Sequence, residues 1–285
     1  LALPVAVGIV AAVAFALVPG VAERPLAVVF GGLVAFVLAG VGQELWRGTR
    51  ARRVMAGEAL PLALVSLVRR NRRRYGGYIV HAGFAVMLLG VAISSSFEQA
   101  KDVTMRPGDR ATVDGYDVRY VRAWSQPGTE KIVFGATLAI SRDGHHVATL
   151  RTSRGYYPSQ DVSLGVLGRF FEGEAESEVG LRASLGRDIW AVVSPDLLPL
   201  RPIIEDGNRR FADAMEAIVG DGSRAPDQRA LDGLFALRDQ AIVGIARRWE
   251  TRTWPADFRL IVSPMATWIW IGAIIAFCGG AIALW

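Results

Sequence analysis

The sequence predicts an α-helical integral membrane protein with an inserted extracytoplasmic mainly-β domain carrying extra helices. Three observations lead there. Four apolar stretches, 2–18, 25–46, 78–97 and 264–285, reach membrane-spanning length, for which roughly 20 residues are needed. Between the third and the fourth, Asp-Gly dipeptides separate runs that alternate with period two, the pattern of β-hairpins. After Pro195 the apolar spacing becomes helical. The hydrophobic fraction of 52% agrees with a chain partly in lipid.

Residues 1–46 are expected to form two transmembrane helices. The first run has no Met, no basic flank and no small-residue cleavage site, so it does not read as a signal peptide. A chain opening on Leu1 inside one apolar run and stopping on Trp285 inside another reads as part of a longer protein, with membrane segments upstream. Residues 47–75 form an Arg-rich loop holding Arg47, Arg50, Arg52, Arg53, Arg69, Arg70, Arg72, Arg73 and Arg74. The opposite turn, 20–24, has only Glu23 and Arg24. Arg and Lys stay on the cytoplasmic side, so this loop is cytoplasmic. The net charge of +5 resides in it, which makes it a topology signal and no evidence for a nucleic-acid partner. Within the loop, 60–68 is apolar but too short to span and reads as an interfacial helix between Arg anchors.

Residues 76–97 form the next transmembrane helix, bearing His81. Residues 98–263 then lie outside, and 264–285 return through the membrane. In the outer domain Asp114-Gly115 joins Ala111–Val113 to 116–124, where Tyr116, Val118, Tyr120 and Trp124 share a face. A second hairpin pairs 132–141 with 147–153 through Arg142-Asp-Gly-His-His146. Further strands are expected at 177–185, 188–194 and 257–262. A helical insertion at about 200–250 carries Phe211, Met215, Ile218 and Val219, then Leu231, Leu234, Phe235, Ile242, Ile245 and Trp249, all at helical spacing. Pro226 and Asp227 read as the start of its second helix.

His81 is the residue most in need of explanation. An imidazole in hydrocarbon is costly unless it is paired or ligates something. Five residues beyond Gly76, it lies about 8 Å into a core of about 30 Å. Gly77 and Ala85, four residues to either side, leave a flat lane such as a porphyrin or a close helix requires. From these residues alone three readings stay open: an axial haem ligand, a hydrogen bond to a neighbouring helix, or a proton relay. His145 and His146 read as ordinary turn residues, and Trp268 and Trp270 as an aromatic belt. Glu172, Glu174, Glu176 and Glu178 read as a solvated strand or loop. The single cysteine, Cys278, reads as buried within the last helix. No Cys-x-x-Cys-His, Ser/His/Asp set or phosphate-binding loop occurs, so no catalytic residue is assigned.

The stretch Asn71-Arg-Arg-Arg-Tyr-Gly-Gly-Tyr-Ile-Val-His-Ala-Gly83, with Gly90 and Ser94-Ser-Ser-Phe97, resembles the C-terminal half of the CcmF family, membrane haem lyase subunits of bacterial cytochrome c maturation. Arg154-Gly-Tyr-Tyr-Pro-Ser-Gln160, Glu178-Val-Gly-Leu181 and Gly186-Arg-Asp-Ile-Trp190 are similar to parts of that family's periplasmic domain. Ser263-Pro-Met-Ala-Thr-Trp-Ile-Trp-Ile-Gly272 and Gly279-Gly280 resemble its last span. The resemblance implies an inner-membrane protein that receives haem from the chaperone CcmE and, with CcmH, attaches it to apocytochrome c. It also implies a resident haem b, reduced by quinol, with His81 as one axial ligand to the haem iron and Gly77 and Ala85 beside it. The second ligand and a Trp-rich motif belong to the family's other half. The stretches 165–174 and 195–249 look longer than the family pattern. The reading from another class is a transporter or sensor subunit, with His81 as proton relay and a solute-binding β domain.

Overall fold

The structure is a computed structural model describing residues 1–128, 130–220 and 227–285. The chain opens with helices α1 (Ala2–Ala16), α2 (Pro25–Ala56), α3 (Leu60–Arg70) and α4 (Arg72–Phe97). Strands β1 (Gln99–Met105), β2 (Arg110–Val113), β3 (Tyr116–Pro127), β4 (Ile132–Arg142) and β5 (His145–Tyr156) follow. A one-turn helix α5 (Gly165–Gly168) precedes β6 (Ala175–Glu178), β7 (Gly180–Arg182) and β8 (Arg187–Pro195). Helices α6 (Arg201–Val219) and α7 (Gln228–Thr251), strand β9 (Ala256–Pro264) and helix α8 (Thr267–Leu284) come last. Two compact units result, a helical one of residues 1–98, 183–188 and 263–285, and a β-rich one of residues 99–182 and 189–262.

In the helical unit, α2, α4 and α8 are long and apolar enough to cross a membrane. The first of the four expected spans falls short: α1 has 15 residues, about 22 Å at 1.5 Å per residue. Helix α2 is longer than expected and runs on through Arg47–Arg53. Arg and Ala are good helix formers, so nothing stops the helix before Gly57, whose left-handed backbone (φ 65°) caps it. Arg52 pairs with Glu58 across that cap at 3.0 Å. The apolar segment 60–68 is helical, as α3. Helices α4 and α8 meet along glycines spaced seven apart, Gly76, Gly83 and Gly90 against Gly272 and Gly279. A Cβ at Gly76 would stand 2.7 Å from the Gly279 carbonyl oxygen, and one at Gly83 equally close to that of Gly272. Small residues at such spacing let spanning helices touch backbone to backbone. Cys278, expected to be buried, is exposed on α8, because its neighbour Gly279 is the residue that faces α4.

The β unit contains two antiparallel sheets, of order β1-β9-β8-β7 and β2-β3-β4-β5-β6. Both predicted hairpins form. Asp114-Gly115 (φ 47° and 76°) closes β2 to β3, and Asp143-Gly144 (φ 51° and 78°) closes β4 to β5. The second turn holds only those two residues, so His145 and His146 are the exposed first residues of β5 and not turn residues. On β3 the predicted alternation fails after Tyr120: a bulge between Tyr120 and Arg122 shifts the phase, and Ala123 takes the core position expected for Trp124. Trp124 instead lies over Gly135 on β4, where any Cβ would collide with the indole. The expected strand 177–185 is two strands, one in each sheet. Strand β1, which pairs with β9, was not anticipated. Helices α6 and α7 form where the spacing places them, and the Asp227 carboxylate caps α7 by accepting from the Arg229 N–H. Pro226 lies outside the described residues. Helix α7 packs on β3 and drives Trp249 (1% exposed) into the core, edge-on to Phe134 with ring centres 6.0 Å apart.

Candidate functional site

Helix α4 has three kinds of face. The glycine stripe meets α8, and Ala85 and Ala92 are buried. The remaining arc carries His81, Phe84, Leu88 and Val91, all exposed. A helix turns 100° per residue, so these four fall on one sector, with Gly77 at its start. The structure therefore places His81 on a face of α4 that no described residue covers.

Among the described residues the imidazole is held at one nitrogen only. His81 Nδ1 lies 2.7 Å from the Gly77 carbonyl oxygen. A carbonyl only accepts, so Nδ1 carries the proton and donates. In the neutral ring Nε2 is then the nitrogen that bears no proton, and it has no hydrogen-bond partner among the described residues. Metal-bound imidazoles have this arrangement, one ring N–H tied to a carbonyl and the other nitrogen free to ligate. Gly77 contributes twice, since nothing stands within 4 Å of where its side chain would be. The lane beside the imidazole is thus open at Gly77. At Ala85, 4% exposed, it is closed by packing.

One to two helical turns before His81 lies a polar cluster that sequence reasoning missed. Arg74 donates to Glu44 of α2 at 2.7 Å and to the Tyr78 hydroxyl at 3.2 Å. The only signal for it was a lone Glu at the end of an apolar run. Asp188 was also missed. It is 3% exposed and accepts from the Ser184 N–H at 2.6 Å and from the Thr267 hydroxyl at 3.0 Å. Trp268 donates to the Leu185 carbonyl at 2.8 Å, while Trp270 is exposed.

In the β unit the acidic run is largely paired at the surface. Glu176 and Glu178 flank Lys131 at 3.6 and 3.8 Å, and Glu172 meets Arg201 at 3.7 Å. A cavity of about 460 Å³ includes Thr104, Tyr156, Glu172, Arg201 and Asp257 in its walls. Burial raises the Tyr156 pKa, partly offset by Arg154. Hydrogen bonds from Ser163 hold the exposed Asp161 carboxyl below its usual range. Among the described residues no group of three or more His, Cys, Asp or Glu could hold a metal ion.

Three helices long and apolar enough to cross a membrane, joined to a β-rich unit, define the class as a membrane protein with a β-rich part, and a singly anchored imidazole stands on one of those helices. No family model matches the chain. In sequence it is similar to "Cytochrome c-type biogenesis protein CcmF" of Pseudomonas aeruginosa, 26% identical over 127 residues, 45% of this chain and 18% of that one. It is also similar to CycK of Bradyrhizobium diazoefficiens, 30% identical over 50% of this chain and 21% of that one. Similarity to ccl1 of Rhodobacter capsulatus, at 23% identity, extends over 99% of this chain and 31% of that one. Its fold matches that of a solved "Cytochrome c Heme Lyase CcmF" with a TM-score of 0.59 at 16% identity, over 99% of this chain and 34% of that one. The chain thus spans about a fifth to a third of the length of these relatives. It is similar to the C-terminal part of CcmF-type cytochrome c biogenesis proteins.

Proposed function

We propose that this chain is the part of a cytochrome c haem lyase that supplies one axial ligand, His81, to a haem b within the membrane. Its β unit then lies outside the cytoplasm and engages the haem chaperone CcmE, CcmH and apocytochrome c. The observation that carries this reading is the free Nε2 of His81 on an uncovered apolar face, with Nδ1–H held by the Gly77 carbonyl. Bound there, haem would supply one-electron chemistry, with quinol as the electron source. The chain's own residues do the positioning. The Gly77 carbonyl fixes the tautomer and ring plane, the missing Gly77 side chain admits a planar group, and Phe84 and Leu88 keep the surroundings apolar. Burial and ligand identity are the means by which a protein tunes such a group. No residue of this chain is assigned to the attachment chemistry itself.

The arginines of 47–74 support a cytoplasmic position for that end of α4. The test is cytochrome c maturation in cells whose full-length protein carries His81→Ala. The variant should reach the membrane at wild-type abundance yet yield no covalently haem-bearing cytochrome c. Normal maturation would overturn the reading. Wild-type membranes free of b-type pigment would favour the proton-relay alternative instead.

A further inference from the structure

Helices α3, α4 and α8 border an open groove of about 750 Å³ at the arginine-rich end of the helical unit. Its walls are apolar: Leu64, Val65 and Val68 from α3, Ile79 from α4, and Ala281 and Ile282 from α8. Arg69 and Arg72 line the same groove. They also line an adjoining cleft of about 480 Å³, to which Arg70 and Arg73 belong. Among the described residues none of these four arginines has an acidic partner; Arg72 spends two donors on the Arg69 and Trp285 carbonyls. A volume in this range suits a small ligand, and the two ends ask different things of it. The groove needs hydrocarbon, and its mouth needs a negative charge.

We propose that this groove binds an anionic phospholipid, with an acyl chain along Val65, Val68 and Ile282 and the phosphate at Arg69 and Arg72. Charge complementarity selects this occupant. A neutral isoprenoid would leave four guanidinium groups uncompensated, and a free phosphate would leave the apolar walls empty. Basic pockets between spanning helices hold acidic headgroups for the same reason, and Arg contributes two directed donors to a phosphate where Lys is a point charge. The inference is independent of what His81 binds.

Native mass spectrometry of the full-length protein, stripped of lipid and reloaded from phosphatidylglycerol or phosphatidylcholine, tests it. Phosphatidylglycerol should stay bound under activation that removes phosphatidylcholine. Arg69→Gln with Arg72→Gln should lower that retention roughly tenfold or more. Val65→Trp should also lose the lipid by filling the groove, although every arginine remains; Val65 is 52% exposed, so the fold tolerates the change. Arg50→Gln with Arg53→Gln, basic residues outside the groove, should behave as wild type, and excess inorganic phosphate should not displace the lipid. Equal retention of the two lipids, retention in Val65→Trp, an equal loss in the Arg50/Arg53 variant, or displacement by phosphate would each overturn the proposal.

Discussion

His81 and Tyr120 show how single residues can be read from what their polar atoms touch. The first has one nitrogen satisfied and one free on an open face. Tyr120 is fully buried on β3, edge-on to Phe258 at 5.0 Å, and its hydroxyl finds no partner among the described residues. An unpaired buried hydroxyl costs stability, and burial pushes the Tyr120 pKa up. A raised folded-state pKa contributes stability that is present below the unfolded value, about 10, and is lost as pH rises further, because only the unfolded state then ionises. Tyr120→Phe should therefore match or exceed wild-type stability by up to about 1 kcal/mol near neutral pH. Its advantage should widen above about pH 10. Thermal unfolding of both proteins across that range checks this, and a Phe variant weaker at neutral pH would mean the hydroxyl has a partner. Trp249→Ala should cost about 3–5 kcal/mol, since the ring fills the core against Phe134; a loss below about 1 kcal/mol would remove α7 from the core.

Among the elements, the β-hairpins were legible because Asp-Gly at two positions with positive φ is local chemistry. Helices α6 and α7 were legible because amphipathic spacing is local too. What escaped depended on partners remote in sequence. Strand β1 is exposed along most of its length and has no alternation to read; it is a strand because β9 pairs with it. The bulge in β3 and the break between β6 and β7 follow from how two sheets share one core, which period-two counting cannot see. For the site, an imidazole inside an apolar helical run was visible at once, while the contacts of Glu44 and Asp188 required the folded chain. Asp188 yields a prediction for its elements: it ties segment 183–188 to the first residue of α8 through Ser184 and Thr267. Asp188→Ala should cost about 1–3 kcal/mol by orphaning the Ser184 N–H and the Thr267 hydroxyl, with Asn recovering part of it. Thermal melts that do not distinguish Ala from wild type would show the tie to be dispensable.

For the whole molecule, the proposed orientation puts the Arg-rich residues 47–75 in the cytoplasm and residues 98–263 outside it. Cysteine accessibility in intact cells reads this directly. Gly128→Cys in the β unit should react with an impermeant thiol reagent, and Gly57→Cys at the cap of α2 should not, because positive loops remain cytoplasmic. The opposite labelling would reverse the proposed orientation. Sequence and fold similarity to CcmF-type proteins supports the proposed setting, cytochrome c biogenesis, in which His81 is proposed to carry this chain's part. Optical and paramagnetic resonance spectra of the full-length protein carrying His81→Gly, recorded with and without added imidazole, test that part most directly. The account predicts loss of the low-spin b-type signal in the variant and its partial return with imidazole, which can enter beside Gly77. A low-spin spectrum unchanged by the substitution, at full haem occupancy, would contradict it and place the ligand elsewhere.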